Sequence, residues 1–224
     1  MEQDSAETPG RAAQIPQDQV AGLYNRLAWI YDIWAALTES KARARALALA
    51  DIGDGDQVLE VAVGTGLAFA EVVRRNPSGR NVGIDLSPGM LGKAEERLRR
   101  HSLGNFELSV GNALNIGEAD ASFDVLLNNY MFDLMARDDW PRVLGEYHRV
   151  LKPGGRLVMS GMTRGEGSCS GIYDRLYNLS PRLTGGCRGI RMAGPLEESG
   201  FSVLSRDYVQ QMLFPTEIIL AVKE

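Results

Sequence analysis

The chain has 224 residues, 24 Lys+Arg against 29 Asp+Glu, a formal net charge of −5 and 44% hydrophobic residues. That length suits one globular domain able to build a core without metal or disulfide, and the acidic balance argues against a dedicated nucleic-acid binder. Two cysteines, Cys169 and Cys187, are too few for a disulfide framework, and there is no run of about 18 apolar residues for a transmembrane helix. Residues 1–16 are polar, contain Pro9, Gly10 and Pro16, and read as a mobile tail. Glu2, Asp4 and Glu7 precede the first Arg with no apolar run behind them, which is not the pattern of a signal peptide. From Gln17 the texture turns helical, with Tyr24, Leu27, Ala28, Tyr31 and Trp34 on one stripe. A second helix is expected from about Lys41 to Ala50, ending at Gly53-Asp54-Gly55. The chain therefore opens with a helical layer, residues 17–50.

From residue 57 strands and helices alternate. Val58 to Val63 reads as a strand, Leu67 to Arg75 as a helix, and Asn81 to Asp85 as a second strand. Ser87 and Pro88 supply an N-cap and a first helical residue ahead of Met90, Leu91, Ala94 and Leu98. Phe106 to Val110 and Phe123 to Leu127 are the third and fourth strands. Asp138 or Asp139 is expected to cap a helix whose stripe is Trp140, Val143, Leu144, Tyr147 and Val150. His148 falls off that stripe and reads as an exposed surface residue, and His101 closes a basic helix end. A Lys152-Pro153-Gly154-Gly155 turn leads to a fifth strand, Arg156 to Ser160. Two more strands, near Ser202–Tyr208 and Glu217–Lys223, have no helix between them and should pair antiparallel. Such alternation predicts an α/β fold with a doubly wound, mostly parallel sheet.

Glu60-Val61-Ala62-Val63-Gly64-Thr65-Gly66 joins the first strand to its helix. Glycine is needed where a ligand touches the backbone, because a Cβ would hold it off, and such a loop lies at the carboxyl ends of the strands, where ligands bind. Asp85 ends the second strand, 19 residues after Gly66, where a carboxylate can accept from both hydroxyls of a ribose. A tight turn with a capping acid is the plainer alternative. A dinucleotide fingerprint wants a third glycine where this chain has Phe69, and Glu60 is foreign to it, which disfavours NAD.

Three stretches, Glu60-x-Ala62-x-Gly64-x-Gly66, Asp85-Leu86-Ser87-x-x-Met90-Leu91 and Arg149-Val150-Leu151-Lys152-Pro153-Gly154-Gly155, resemble class I S-adenosylmethionine-dependent methyltransferases in order and spacing. Ala62 ahead of Gly64-Thr65-Gly66, Asn112-Ala113 after the third strand, Tyr24 through Tyr31-Asp32, and Leu179-Ser180-Pro181-Arg182 resemble the ubiquinone/menaquinone C-methyltransferase branch. The resemblance implies a seven-stranded Rossmann-like methyltransferase sheet with an antiparallel last strand and an N-terminal helical lid, all within residues 17–224. It implies S-adenosylmethionine as cofactor, bound by Tyr24, Glu60, Ala62, Gly64, Thr65, Gly66, Asp85, Leu86, Met90, Asn112, Ala113 and Asn129. Gly64, Thr65 and Gly66 would carry the methionine part, with Asn129 or Asn128 beside it. Asp85 would hold the ribose. Leu86 and Met90 would pack near the adenine, unless they are plain core, and Asn112 and Ala113 would bond its edge.

Methyl transfer from a sulfonium needs acceptor and methyl held in line in a dry site, and neither metal nor covalent intermediate. The chain accordingly has no ligand-spaced Cys/His cluster. Tyr24, Tyr31, Asp133 and Tyr173 are candidates for a base by position, and none is singled out. The acceptor expected from the resemblance is a small lipophilic or aromatic, quinol-like molecule, met in the cytoplasm or at a membrane surface. Residues 163–191, the expected cap over the acceptor, hold Arg164, Arg175, Arg182, Arg188 and Arg191 against Glu166 and Asp174, which keeps a phospholipid amine as an alternative. Gly186-Cys187 keeps a thiol as another. A cofactor-binding module without catalysis is the non-enzyme alternative.

Overall fold

A computed structural model of the protein describes residues 38–163, 189–212 and 214–224. The expected tail, the aromatic stretch of the helical layer and nearly all of the cap, including Tyr24, Tyr31, Tyr173 and Cys187, lie outside the described residues.

Helix α1 (Ser40–Ala50) precedes β1 (Gln57–Val61), α2 (Phe69–Arg75), β2 (Arg80–Asp85), α3 (Pro88–Arg100), β3 (Glu107–Val110) and β4 (Phe123–Asn129). Two 3₁₀ turns, Phe132–Leu134 and Arg137–Asp139, lead into α4 (Trp140–Val150) and β5 (Leu151–Met162). Helix α5 (Ala193–Glu198) and the strands β6 (Phe201–Gln211) and β7 (Phe214–Lys223) follow. The seven strands lie in the order β3-β2-β1-β4-β5-β7-β6. β1 to β5 pair in parallel, and β7 runs antiparallel to both β5 and β6. Going outward from β1, the chain steps one way through β2 and β3, then reverses to β4 and β5. The reversal opens a crevice at the carboxyl ends of β1 and β4, beside the glycine loop.

Two cores hold the layers together, one on each face. Leu59, Val61, Leu126, Leu157 and Met159 turn toward α4, whose stripe Trp140, Val143, Leu144, Tyr147 and Val150 is buried as its spacing predicts. Val58, Val125, Leu127 and Val158 turn the other way, onto α1, α2 and α3. Because successive strand residues alternate faces, Glu60 and Asn129 share the α1–α3 face with Val58 and Leu127, while Asn128 belongs to the α4 face. That parity decides which side chains meet in the crevice.

Helix α1 buries Ala42, Ala46, Leu47 and Ala50, a row of mostly small side chains that lets it lie close to the sheet. It is fastened at its start by Lys41 N–H donating to Gln211 Oε1 at 2.8 Å, and along its side by an Arg45–Asp207 ion pair. Ser87 caps α3 as expected, its Oγ accepting from Met90 N–H at 3.2 Å. Three local expectations are corrected. Asp139 stands at the start of α4, but no side-chain cap bond is made, because the chain arrives already coiled in a 3₁₀ turn. Lys152-Pro153-Gly154-Gly155 is no separate turn but an irregularity within β5: the register against β4 jumps from Phe123↔Leu151 to Val125↔Arg156. Lys152 anchors it by pairing with Asp124 at 2.8 Å. His148 is half-buried, edge-on to the Phe201 ring at 5.4 Å, and desolvation aided by Lys223 lowers its pKa. No described helix is long and apolar enough to cross a membrane.

Candidate functional site

The glycine loop leaves β1 with Ala62 and Val63 N–H both donating to Ile84 O, at 2.8 and 3.1 Å. This sharp exit puts Ala62 at φ +63°, a left-handed conformation for which glycine is the unstrained residue. Gly64 (φ +57°) and Gly66 (φ +78°) also need it, but their surroundings differ. A Cβ on Gly66 would meet Ala94 Cβ at 2.9 Å, whereas one on Gly64 would meet nothing within 4 Å. Gly66 therefore serves close packing against α3, whereas Gly64 has open space before it. The missing third glycine also has a structural answer. Phe69 packs over Gly83 of β2, where a Cβ would come within 3.2 Å of its ring, so the close approach is made by the strand instead.

Asp85 closes β2 and is held by two backbone donors, Gly64 N–H to Oδ2 and Ser87 N–H to Oδ1, each at 2.8 Å. Burial raises its pKa and the two N–H bonds oppose that rise. One lone pair of each oxygen is thereby spent on orienting the carboxylate, and the others remain for a ligand. Arg97 of α3 ties down the far side of the loop, its Nε donating to Thr65 O at 2.9 Å.

A cavity lies over this loop, walled by Glu39, just ahead of α1, and Arg43 of α1, floored by Glu60, and closed by Gly64, Asn129 and Tyr130. Glu60 is only 2% exposed, and its Oε2 has no hydrogen-bond partner. Burial pushes its carboxyl pKa up to about 8, against the pull of a hydrogen bond with Asn129 and the field of Arg43. Asn129 is itself positioned by Ser160, whose Oγ donates to Asn129 Oδ1 at 2.7 Å. Asn128 points through the other face, donating to Val61 O at 3.0 Å. Of the two asparagines, then, the structure brings Asn129 to the cavity.

The remaining predicted residues separate. Met90 is buried at 3% and is core, whereas Leu86, next to Asp85, is 42% exposed and offers an apolar surface beside the carboxylate. Asn112 uses Oδ1 locally, accepting from Leu114 N–H at 2.9 Å, and Ala113 is buried against the α4-side core. Asp133 lies buried in the first 3₁₀ turn, its Oδ2 accepting from Met162 N–H at 3.0 Å, which braces that turn against the end of β5. Tyr24 lies outside the described residues. Sequence reasoning missed Glu39, Arg43 and Tyr130. No loop motif marks Arg43; its only signal is its place beside the buried Ala42–Ala46 row of α1.

Residues 58–155 match a family model described as a methyltransferase domain. That stretch, from β1 into β5, is a methyltransferase domain by this match. Over 111 residues it is 38% identical to a demethylmenaquinone methyltransferase of Geobacillus sp. (strain WCH70), covering 48% of this chain and 46% of that one. An arsenite methyltransferase of Halobacterium salinarum is 27% identical, over 69% of this chain and 39% of its own. The chain thus spans less than half the length of these two curated relatives. Among solved structures, a SAM-dependent methyltransferase from Aquifex aeolicus superimposes with a TM-score of 0.64 at 17% identity, covering 94% of this chain and 100% of the other, a likeness of fold.

The cofactor of the class I methyltransferases is S-adenosylmethionine, whose ends are an amino-acid group and a nucleoside. The residues present fit it. The domain offers a buried carboxyl with an orphaned oxygen, a glycine with open space before it, and an oriented carboxylate next to an exposed leucine. Among the described residues no cluster of His, Cys, Asp and Glu could hold a metal.

Proposed function

We propose that the chain is an S-adenosylmethionine-dependent methyltransferase acting on a small lipophilic or aromatic, quinol-like acceptor. The observation that carries the cofactor half is the unpartnered, buried Oε2 of Glu60 at the rim of an open-faced Gly64. A buried polar atom with no partner costs about 1–3 kcal/mol unless a ligand supplies one. In this reading Glu60, Ala62, Gly64, Thr65, Gly66 and Asn129 shape the methionine pocket, and Asp85 accepts from the ribose hydroxyls. Leu86 lies under the base, with Asn112 and Ala113 at its edge and Met90 behind them.

When bound, the cofactor supplies an electrophilic methyl on a sulfonium. The chain's part is to hold its two ends, present the acceptor in line, and keep water away. Residues 17–50, of which α1 is the last part, form the lid, and Tyr24 belongs to it. Residues 163–191 cover the acceptor, and the enzyme works in the cytoplasm or at a membrane surface. The match to a demethylmenaquinone methyltransferase supports the quinol-like acceptor. A soft acceptor is the second reading, supported by the match to an arsenite methyltransferase and by Cys187.

A panel assay with radiolabelled methyl donor separates them. Label in the quinol product is expected; label only in a thiol, arsenite or phospholipid amine product would overturn the acceptor, and label in none would overturn the activity.

A further inference from the structure

Tyr130 follows β4 on the wall of the cavity, next to Asn129, and its backbone stands at φ +52°, a left-handed conformation that is costly for an aromatic residue. The strain changes the face that the side chain serves. Successive strand residues point to opposite faces, so a regular continuation past Asn129 would send Tyr130 to the α4 side with Asn128. The left-handed turn instead brings its ring to the α1–α3 side, into the core of Val158, Met162 and Ile218, on the face of Glu60 and Asn129. Two bonds hold it there. Its N–H donates to Ser160 O at 2.8 Å, and its hydroxyl lies 3.0 Å from Oγ1 of Thr216, a buried residue of β7. Backbone strain of this kind clusters at ligand sites, where the placement it secures is used.

With the hydroxyl bonded to Thr216, what Tyr130 offers a ligand is its ring. We propose that this ring is the surface on which a sulfonium rests, so that the site tells the charged methyl donor from its neutral demethylated product by a cation–π contact. The proposal rests on the reading of this cavity as the S-adenosylmethionine site. On that reading the nucleoside lies by Asp85 and the methionine by Gly64 and Asn129, and the sulfur joins the two in the space that Gly64 leaves open and Tyr130 closes. The carboxyls there are poorly placed to serve a cation. Asp85 is turned to the nucleoside, and burial keeps Glu60 protonated at neutral pH, its pKa standing at about 8. On the opposite wall Glu39 is half-buried, and Arg43 near it brings a positive charge. An aromatic face attracts a cation without the desolvation cost of a buried carboxylate, and more strongly where water is excluded, as it is around a residue 8% exposed.

The test is calorimetry on the full chain with S-adenosylmethionine and S-adenosylhomocysteine, which differ only in the methyl and the positive charge on sulfur. The readout is the ratio of the two affinities. Tyr130→Leu should lower that ratio about fivefold or more, through S-adenosylmethionine alone, with S-adenosylhomocysteine held within about twofold of wild type. Tyr130→Phe keeps the ring and should leave the ratio within about twofold, and so should Glu39→Gln. Because leucine also removes core contacts, a second series keeps the shape: phenylalanine at position 130 is exchanged for its mono-, di- and trifluoro forms by nonsense suppression. Fluorine withdraws negative charge from the ring face, and the ratio should fall stepwise along the series. A ratio that stays flat across the fluorinated series, or one that collapses in Glu39→Gln, overturns the π contact and leaves the site reading standing. Failure of the wild type to bind either ligand overturns both.

Discussion

Removing the Asp85 carboxylate should weaken the protein in two separable ways. In the empty protein Asp85→Ala leaves the N–H groups of Gly64 and Ser87 without their 2.8 Å acceptor. Both lie near the crevice, where water can reach, so the loss falls below the usual range for charge-assisted bonds, about 2 kcal/mol together, and should lower Tm by roughly 4–8 °C. Toward the nucleoside the loss is larger. Two hydrogen bonds from ribose hydroxyls to an ionised acceptor are worth about 3 kcal/mol or more, so affinity for S-adenosylhomocysteine should fall by a factor on the order of 100. Asp85→Asn keeps the shape and one acceptor oxygen, and should fall between wild type and alanine in both measurements. Thermal melts of the free protein and calorimetry with the ligand give the two numbers independently. Wild-type affinity in Asp85→Ala would refute the ribose assignment, and an unchanged Tm would refute the bracing of the loop.

Other substitutions probe the same construction. Gly64→Ala should cost about 1 kcal/mol of stability, the strain of φ +57° alone, yet lose ligand binding severely; Gly66→Ala, which also overlaps Ala94, should cost about 2–4 kcal/mol in chemical denaturation. Equal destabilisation by the two would show that the open space before Gly64 is not there. Ala62→Gly should be neutral or slightly stabilising, whereas Ala62→Val, a β-branched residue at φ +63°, should cost more than about 1 kcal/mol; a neutral valine would be incompatible with this backbone. Glu217 is buried on β7, where it accepts from Met192 N–H at 3.0 Å and pairs with Arg206. Glu217→Ala should cost about 2–4 kcal/mol, and Glu217→Gln clearly less, by urea denaturation. Glu60 ionises near pH 4.5 in the unfolded chain and at about 8 in the folded one, so folded stability should decline as pH rises from about 4.5 to about 8 and then level off. Glu60→Gln should flatten that slope, and an identical pH profile of Tm would contradict the buried, protonated state.

The sheet was legible because strand and helix periods differ and the chain alternates them cleanly. Asn81 to Asp85 and the α4 stripe lie where their patterns put them, and the expected strand from Val58 does too as far as Val61, after which Ala62 and Val63 turn into the loop. Asp85 and Gly64 were legible for a related reason: the backbone they serve has requirements only those residue types meet. The choice between Asn128 and Asn129 needed the parity of β4 relative to Glu60, which pairing reveals and a neighbouring pair of identical residues does not. Lys152-Pro153-Gly154-Gly155 has turn composition, yet the pull of β4 and the Lys152–Asp124 pair draws it into a strand. Arg43 was invisible because helix spacing alone says only that it flanks a buried row. What makes it notable is Glu60 across the cavity, a residue 17 positions later.

The central claim is that the crevice over Gly64 and Asp85 takes a sulfonium nucleoside and not a dinucleotide. Equilibrium dialysis of the full chain against labelled S-adenosylmethionine and, separately, labelled NAD tests it directly. Saturable binding of S-adenosylmethionine at one per chain, abolished in Asp85→Ala, with no saturable NAD binding, is the expected result. Saturable NAD binding, or none of S-adenosylmethionine, would contradict it.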